Sequence, residues 1–346
     1  MATNEQYMDR CIQLAKLGAG NVAPNPMVGA VLIYEDKIIG EGYHQKYGEA
    51  HAEVNCINSV KEEYTSFIEK STLYVSLEPC SHHGKTPPCV DLIIKNKIKK
   101  VVIGCTDVYQ EVAGKGIQKL QDADVTVITG ILEKECIDLN KRFFTFHQKF
   151  RPYIIIKWAQ SVNGKIAAPA NKRIFISNEY STRITHKWRS EEGAILVGTN
   201  TAIQDDPLLT TRLWAGRNPI RIVIDKELQL PSALKVFNNE AKTIIYNTIK
   251  YLTLENLIYI KLENENFQEQ LLDSLFEMNI QSVLVEGGTK TLQSFIDNSL
   301  WDEAKVIINE DLFIENGINA PEMKHFILEK SERYLSDVIY FYNKTE

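Results

Sequence analysis

The fold of this chain is decided by the stretch Glu78-Pro79-Cys80-Ser81-His82-His83-Gly84-Lys85-Thr86-Pro87-Pro88-Cys89. A strand predicted over Leu73–Leu77 runs into it, and a helix predicted over Val90–Lys95 leaves it. Upstream, His51-Ala52-Glu53 opens a further predicted helix that extends to Val60. A His-x-Glu alone is a weak signal. A histidine at a helix start, a cysteine after a strand and a second cysteine at the next helix start form a much more specific set.

Strands and helices alternate on both sides of this stretch. The first half contains predicted strands at 28–34, 37–42, 73–77, 101–104 and 125–128, and predicted helices at 52–60, 90–95, 116–123 and 132–146. This alternation predicts an α/β layer with a mostly parallel sheet.

A polar segment, His147-Gln148-Lys149-Phe150-Arg151-Pro152, separates the two halves of the chain. Beyond it the alternation starts again, with predicted strands at 153–157, 194–198, 220–224, 243–246, 257–260, 282–285 and 305–308 and predicted helices at 178–189, 267–278 and 289–297. The 346 residues suit two domains of roughly 150 residues each. We therefore predict one domain over residues 1–147 and a second α/β domain over residues 151–346.

Composition narrows the classes of function. Hydrophobic residues make up 44 % of the chain, charged residues make up 24 %, and the formal net charge is −6. An acidic chain lacks the basic footprint of a dedicated nucleic-acid binder. No apolar run reaches the roughly 20 residues of a membrane span, and the polar start does not resemble a secretory signal. We therefore expect a cytoplasmic protein, in which the clustered cysteines among the six act as metal ligands or catalytic groups and not in disulfides.

The three side chains His51, Cys80 and Cys89 suit a zinc ion. Three protein ligands leave the fourth tetrahedral position open for water, whose pKa the metal lowers toward neutrality. Glu53, two residues from the histidine, can take the proton of that water and return it to a ring nitrogen and to leaving ammonia. His-x-Glu with Pro-Cys-x-x-Cys is the signature of zinc nucleobase deaminases. The match is partial, because eight residues separate the two cysteines here.

Around these cysteines the chain resembles the bifunctional riboflavin-biosynthesis family that joins a diaminohydroxyphosphoribosylaminopyrimidine deaminase to a 5-amino-6-(5-phosphoribosylamino)uracil reductase. The similarity extends over nearly the whole chain, and its further motifs are Ala23-Pro24-Asn25-Pro26-Met27-Val28-Gly29, Lys157 to Gly164, Thr201 to Arg212 and Val285-Glu286-Gly287-Gly288-Thr289. The resemblance implies a cytidine-deaminase-like three-layer domain followed by a dihydrofolate-reductase-like domain. It also implies Zn²⁺ and NADPH as cofactors and a small phosphoribosyl-pyrimidine as substrate, and we further expect a homo-oligomer.

The resemblance assigns roles to residues of the first domain. It implies that His51, Cys80 and Cys89 bind zinc, that Glu53 shuttles the proton, and that the substrate pocket is lined by Asn25, His44, Lys85, Thr86 and Asp107. The amide of Asn25 can pair with an amide edge of the pyrimidine, and Lys85 can meet the 5-phosphate as a point charge. Tyr109 stands where the family usually has an asparagine. For His82 and His83, a substrate contact and a solvated loop position both fit the sequence.

The second domain carries a weaker signal. It lacks a Gly-x-Gly-x-x-Gly after its first strand, but the run from Val285 to Thr289 leads a strand through two glycines into a helix, and the N–H groups at such a helix start suit a cofactor phosphate. Taken alone, the same run is equally well explained as an ordinary connection. The resemblance implies cofactor contacts by Ala159, Phe175, Thr201, Asp205, Gly288, Thr289, Lys290, Thr291, Leu292, Gln293 and Ser294.

The resemblance also implies substrate contacts by Arg173, Arg189, Leu209, Arg212 and Glu286. Guanidinium groups bind phosphate in a bidentate manner, so Arg189 and Arg212 suit a clamp on the 5-phosphate, although either one alone reads as an ordinary surface arginine. Lys157 and Glu286 are expected near the site of hydride transfer, where they support charge and proton control. Asn163 replaces the aspartate that the family usually has before Gly164.

The sequence motifs alone leave two other functional interpretations open. A deaminase acting on cytidine, deoxycytidylate or a tRNA adenosine would use the same zinc chemistry, but the long loop between the cysteines, the second domain and the acidic charge disfavour it. A non-catalytic zinc-stabilised scaffold would normally close the metal with four protein ligands. It would leave Glu53 without a role.

Overall fold

The computed structural model describes residues 3–83, 87–109, 112–169 and 174–345. The chain divides into two compact units, Met1–Phe150 and Arg151–Glu346, each with its own sheet. Among the described residues, no helix combines the length and the apolar character that crossing a membrane requires.

The first unit is built on a five-stranded sheet with the strand order β2-β1-β3-β4-β5. Its strands are β1 (Gly29–Tyr34), β2 (Lys37–Tyr43), β3 (Thr72–Leu77), β4 (Lys100–Cys105) and β5 (Thr126–Ile128). Its helices are α1 (Asn4–Lys16), α2 (Ala52–Asn58), α3 (Cys89–Lys95), α4 (Lys115–Asp122), α5 (Glu133–Leu139) and α6 (Lys141–Lys149), with a 3-10 helix over Glu62–Lys70. The prediction of a mostly parallel sheet is correct for only half of this sheet. Strand β1 pairs antiparallel with both β2 and β3, whereas β3, β4 and β5 pair in parallel.

Helices cover both faces of this sheet. Val31 and Ile33 belong to an apolar cluster that includes residues of α1, α5 and α6. Ala30 and Leu32 belong to a second cluster, with residues of α2, α3 and α4. Successive side chains of a strand point to opposite faces, so the two clusters lie on opposite sides of the sheet and create three layers. The predicted three-layer organisation is confirmed.

Two helical predictions for the first unit need correction. Helix α1 was not predicted, although its buried residues Tyr7, Met8, Cys11, Ile12 and Ala15 have helical spacing, and it starts with a capping box between Thr3 and Gln6. The helix predicted over 132–146 is two helices that meet at Asn140. The Asn140 side chain accepts from the Met27 N–H at 2.8 Å and donates to the Met27 carbonyl at 2.9 Å, so the break serves a tertiary contact.

The second unit contains a ten-stranded sheet with the order β11-β12-β10-β9-β8-β13-β6-β14-β17-β16, and β15 pairs separately with β7. Its strands are β6 (Tyr153–Ser161), β7 (Lys165–Ala167), β8 (Ala194–Gly198), β9 (Ile220–Ile224), β10 (Thr243–Asn247), β11 (Leu252–Thr253), β12 (Leu257–Lys261), β13 (Ser282–Val285), β14 (Glu303–Asn309), β15 (Ile318–Asn319), β16 (Phe326–Tyr334) and β17 (Asp337–Lys344). Its helices are α7 (Glu179–Glu191), α8 (Thr199–Asp205), α9 (Phe267–Glu277) and α10 (Thr289–Asp297), with a 3-10 helix over Lys235–Phe237.

In the part of the sheet with the order β12-β10-β9-β8-β13-β6-β14, each strand pairs in parallel with the next. The alternation of strands and helices predicts this arrangement. The hairpin of β16 and β17 was not expected. Most of β16 is exposed, so it has no buried side to produce an alternating apolar pattern. The carboxyl ends of the neighbouring strands β8 and β13 lead directly into α8 and α10, and this edge of the sheet holds the second candidate site.

Candidate active sites

The side chains of His51, Cys80 and Cys89 form one cluster. His51 occupies the N-cap position of α2, Cys80 follows β3, and Cys89 is the first residue of α3. His51 Nδ1 lies 3.6 Å from Cys80 Sγ and 3.4 Å from Cys89 Sγ. Zn–N and Zn–S bonds of about 2.0 and 2.3 Å at a tetrahedral angle separate ligand atoms by roughly 3.5 Å. The three donor atoms, which all lie within 4.8 Å of one another, therefore fit a zinc ion.

The local electrostatics favour a thiolate at Cys80. A hydrogen bond with the Cys89 thiol, followed by one with His51, lowers the pKa of Cys80 to about 4. The Cys89 N–H, at the start of α3, also donates to Cys80 Sγ at 3.4 Å. The hydrogen bond with Cys80, and then burial, raise the pKa of the Cys89 thiol and favour retention of its proton. A bound zinc ion would replace that proton, because a thiol that coordinates zinc is deprotonated.

Glu53 lies in the first turn of α2 and is only 3 % exposed. Burial, and then the charge of Cys80, raises the pKa of its carboxyl. A carboxyl whose pKa is shifted toward neutrality can both accept and return a proton near neutral pH, which is the property that acid–base catalysis requires. Glu53 is not a member of the metal cluster. Its position beside the ligands is therefore consistent with proton transfer.

Asn25 and His44 extend the site. The His44 ring lies edge-on to the His51 ring, with 5.3 Å between centroids. Burial lowers the pKa of His44, so its imidazole is neutral, and its Nδ1–H donates to the Ala50 carbonyl at 3.0 Å. His44 Nε2 then accepts from Asn25 Nδ2 at 3.2 Å. Asn25 thereby keeps its carbonyl oxygen and one N–H for another partner.

Asp107 lies just beyond β4 and is nearly buried. Burial raises the pKa of its carboxyl to about 6. Tyr109, the departure from the expected asparagine, donates its N–H to Asp107 at 2.8 Å, and its ring lies between those of His82 and His147, at 6.2 and 5.1 Å. The predicted pocket residues Lys85 and Thr86 fall outside the described residues.

A cavity of about 1360 Å³ opens at the carboxyl ends of β8 and β13 in the second unit. It is lined by most of the predicted residues, namely Ala159, Phe175, Arg189, Thr201, Asp205, Leu209, Arg212, Glu286, Gly288, Thr289, Lys290, Thr291 and Ser294, together with Lys157. Leu292 instead packs in the apolar core, and Gln293 bonds to Asp297 and the Glu322 backbone. Arg173 falls outside the described residues. The sequence analysis missed Asp225 and Lys226, which line the cavity just after β9 and carry no motif.

The glycine turn before α10 is closely packed. A Cβ atom on Gly198 would lie 2.4 Å from Thr291 Oγ1, and one on Gly287 would lie 2.8 Å from Thr291 Cβ. The Gly288 N–H donates to Thr201 Oγ1 at 2.9 Å, and Gly288, the N-cap residue of α10, has no side chain with which to cap the helix. Gly288, Thr289, Lys290 and Thr291 line the cavity, so the first N–H groups of this helix suit an anionic group there.

Three charged side chains meet in the wall of this cavity. Arg189 donates from Nε and Nη2 to the two oxygens of Glu286, each at 2.8 Å, and Lys157 Nζ lies 3.7 Å from Glu286. Burial by itself would raise the pKa of Glu286, but Arg189 and Lys157 outweigh it and hold the pKa at about 2. The two cations therefore share one buried carboxylate.

Replacement of Glu286 by glutamine is expected to destabilise the second unit by about 3–5 kcal/mol, because it leaves Arg189 and Lys157 buried without their counter-charge. The wild-type contribution is present above the unfolded pKa of about 4.3 and is lost as pH falls toward the folded pKa of about 2. Thermal melts between pH 7 and 2 should show this loss in the wild type and not in Glu286→Gln. The exposed Glu277→Gln is the control. A wild-type melting temperature in Glu286→Gln at pH 7 would contradict the account.

Two further positions complete the second site. The pKa of His186 is lowered to about 4 by burial and then by Arg189 and Arg212, which places both arginines near this histidine. Asn163, the second departure from the family pattern, accepts from Ser161 Oγ and from the Ile314 N–H and donates to the Ile314 carbonyl at 3.0 Å. An ionised aspartate could not make that donation.

Comparison with known proteins places these sites in one family. Residues 1–105 match the family model of the cytidine and deoxycytidylate deaminase zinc-binding region, and residues 152–312 match the RibD C-terminal domain. The chain is 38 % identical to riboflavin biosynthesis protein RibD of Aquifex aeolicus over 99 % of this chain and 98 % of that protein. It is 39 % identical to the Bacillus amyloliquefaciens protein of the same name, over 86 % of this chain and 82 % of that protein.

Solved structures agree. A diaminohydroxyphosphoribosylaminopyrimidine deaminase/5-amino-6-(5-phosphoribosylamino)uracil reductase from Thermotoga maritima superposes with a TM-score of 0.90 at 34 % identity, covering 98 % of both chains. RibD of Acinetobacter baumannii gives a TM-score of 0.89 at 29 % identity over 99 % of both chains. The predicted pair of folds, cytidine-deaminase-like and then dihydrofolate-reductase-like, is confirmed. The chain therefore belongs to the RibD family of bifunctional riboflavin-biosynthesis enzymes, which join a zinc-dependent deaminase to an NADPH-using reductase.

Proposed function

We propose that the first unit hydrolytically deaminates 2,5-diamino-6-(5-phosphoribosylamino)pyrimidin-4-one. We propose that the second unit then uses NADPH to reduce the ribosyl group of the 5-amino-6-(5-phosphoribosylamino)uracil product to ribityl. The observation that carries the proposal is the three-donor cluster of His51, Cys80 and Cys89 with the buried Glu53 beside it. The substrates follow the name of the Thermotoga maritima protein, which the chain matches over nearly its full length.

In the deaminase site, zinc held by the three donors would supply a hydroxide nucleophile at neutral pH. Glu53 accepts the proton of the attacking water, and its raised pKa lets it return that proton to the ring nitrogen and the leaving ammonia. Asn25, with its amide fixed by the neutral His44, orients the pyrimidine edge. Asp107 contacts the substrate from the end of β4, and Lys85 and Thr86 are proposed to bind the phosphoribosyl group.

In the reductase site, NADPH would supply the hydride. The start of α10, with Gly288, Thr289 and Thr291, is proposed to bind a cofactor phosphate, and Ala159, Phe175, Thr201 and Asp205 to contact the rest of the cofactor. The substrate is proposed to contact Arg173, Leu209, Arg212 and the Arg189–Glu286 pair. Both oxygens of Glu286 already accept from Arg189, and Arg212 lines the same cavity. Lys157 lies beside the same carboxylate and is suited to proton control.

We propose domain bounds of 1–147 for the deaminase and 151–346 for the reductase. The division of the chain between Phe150 and Arg151 supports these bounds. The two family matches, which end at 105 and begin at 152, are compatible with them. Limited proteolysis that cleaves near residue 150 and yields two folded fragments is the expected result.

A homo-oligomer is proposed, with a second copy of the chain at the free edge of β16. This strand places Phe326, Ile327 and Leu328 in solvent at the edge of the ten-stranded sheet, with exposed fractions of 44, 59 and 49 %. An exposed apolar edge strand is a template for pairing with another chain. Sedimentation velocity should give at least twice the chain mass, and a monomer at micromolar concentration would exclude the proposal.

A cytoplasmic location is proposed from the use of the cysteines. Cys80 and Cys89 serve as a metal pair, and Cys11, Cys56, Cys105 and Cys136 are buried free thiols. Reducing compartments keep such thiols free. Fractionation of cells that express the intact protein should recover it with cytoplasmic markers.

The direct test is incubation of the zinc-loaded protein with the phosphoribosylated diaminopyrimidinone and NADPH. Ammonia release should precede NADPH oxidation, because the reductase acts on the product of deamination. Cytidine and deoxycytidylate serve as competing substrates. Faster ammonia release from either of them would assign the first unit to the other deaminase class.

The two activities are expected to separate by mutation. Arg212→Ala should weaken use of the deaminated intermediate by roughly tenfold or more, since a lost hydrogen bond to a charged group costs about 1.5–3 kcal/mol. Ammonia release should stay near wild type. Arg189→Ala is a less clean variant, because it also leaves Glu286 buried without its partner.

Steady-state assays with supplied intermediate measure this effect, and the exposed Arg183→Ala on α7 is the matched control. The double variant Arg189→Ala with Arg212→Ala should lose more reductase activity than Arg212→Ala. An equal loss of deaminase activity in Arg212→Ala would show that the two sites are coupled.

A further inference from the structure

Glu78 is a buried carboxylate that the deaminase chemistry does not use. It follows β3 directly, its N–H continues the sheet by donating to the Cys105 carbonyl at 3.0 Å, and its side chain is 3 % exposed. Two residues later the chain reaches Cys80. A carboxylate removed from water at this position requires partners, because desolvating a charge is costly.

The partners of Glu78 are four backbone N–H groups. Oε2 accepts from Asp107 at 3.2 Å and from Gly114 at 3.0 Å, and Oε1 accepts from Gly116 at 2.9 Å and from Ile117 at 3.2 Å. Three of these donors belong to the start of α4, where a helix leaves its first N–H groups unpaired. The carboxylate therefore caps a helix that lies 36–39 residues further along the chain.

The same contact brings two pieces of backbone into direct packing. A Cβ atom on Gly116 would lie 2.2 Å from the Pro79 carbonyl oxygen and 3.1 Å from Glu78 Oε1. The start of α4 thus rests on the residue next to Cys80, and only glycine fits at position 116. The fourth donor is the N–H of Asp107 itself. One side chain joins the segment of a metal ligand to the segment of a proposed substrate ligand.

We propose that Glu78 is a positioning residue of the deaminase, which holds Asp107 at a fixed place relative to Cys80 through its four backbone hydrogen bonds. This inference rests on the proposed function in one respect, the contact of Asp107 with the substrate. The carboxylate form is required because all four partners are donors. An amide offers one acceptor oxygen and turns two N–H groups toward two of those donors.

Glu78→Gln is expected to raise KM for deamination at least tenfold while kcat changes less than about threefold, because Glu53 and the metal ligands stay in place. Zinc should remain at one per chain, and reduction of supplied intermediate should be unchanged. Hydrogen exchange in the peptide 112–122 should become faster, since its N–H groups lose their acceptor. The exposed Glu135→Gln, on α5, is the matched control.

A second test combines Glu78→Gln with Asp107→Asn. If Glu78 acts through Asp107, the double variant should raise KM little beyond the larger single effect, because residues in one hydrogen-bonded unit are not additive. Fully additive effects of the two substitutions on KM, or a wild-type KM in Glu78→Gln, would overturn the proposal. If wild-type protein releases no ammonia from the diaminopyrimidinone, the proposed function fails, which is a separate result from either of these.

If Glu78→Gln does not fold, Glu78→Asp is used in its place to test the proposal. It keeps the charge and withdraws the oxygens by one carbon–carbon bond, about 1.5 Å. A folded Glu78→Asp protein with full zinc and a raised KM supports the positioning role. Wild-type KM and wild-type hydrogen exchange in that protein would overturn it.

Discussion

Glu53→Gln is expected to lower the rate of ammonia release by about 10²–10⁴-fold, the usual worth of a positioned acid–base group. Glutamine keeps the size and much of the hydrogen bonding of glutamate but cannot accept a proton. Glu53 is buried beside the metal cluster and its pKa is raised, so the substitution removes the group that is placed to carry the proton. The measurement is kcat for deamination together with the zinc content.

Zinc should remain at one per chain in Glu53→Gln, since His51, Cys80 and Cys89 are untouched. The exposed Glu62→Gln should behave as wild type. Reduction of supplied intermediate should continue in both. Ammonia release at the wild-type rate from Glu53→Gln would place the base elsewhere.

Cys80→Ser is expected to remove the metal and abolish deamination. A serine hydroxyl stays protonated at neutral pH and is a poor ligand for zinc, whereas the pKa of Cys80 is already lowered to about 4 by Cys89 and His51. The zinc content, measured by metal analysis, should fall from one ion per chain to almost none. Cys56→Ala removes a buried thiol outside the cluster and should retain the zinc.

The reductase should survive in Cys80→Ser, because the candidate cofactor residues all belong to the second unit. Circular-dichroism melts establish whether the first unit is still folded after zinc loss. Full zinc occupancy in Cys80→Ser would remove the ligand assignment. A folded Cys80→Ser protein that cannot reduce supplied intermediate would show that the two units depend on each other.

The grouping of His51, Cys80 and Cys89 was predictable from the sequence. His51 and Cys89 stand at the starts of α2 and α3, and Cys80 follows β3. Apolar runs predict all three elements, which contribute to one apolar cluster. The reductase site was harder to predict from the sequence. Its short glycine motif is common, and the residues that share its cavity come from segments more than 100 residues apart, such as Ala159 and Thr291.

The features that the sequence did not predict have identifiable physical causes. Helix α1 is stabilised by a capping box between Thr3 and Gln6 and by the burial of one face on the sheet. Asn140 interrupts an apolar run because its side chain bonds to Met27, 113 residues away. Strand β16 is exposed over most of its length, although its partner β17 is largely buried. The break at Asn140 and the pairing of β16 depend on tertiary contacts, whereas periodicity reports only on burial.

The sequence by itself determined the order of the two α/β units, most of their strands, and the grouping of His51, Cys80 and Cys89 with Glu53 next to them. These follow from short-range patterns, because apolar runs fold locally and a ligand at the end of an element is placed by that element. Tertiary structure alone decided what Glu286 and Glu78 contact. Arg189 reaches Glu286 across 97 residues, and Glu78 collects backbone N–H groups from 29 to 39 residues away. A buried carboxylate takes whatever donors the packed chain brings within hydrogen-bond distance. Strand pairing and helix packing set those donors, and no local pattern records them.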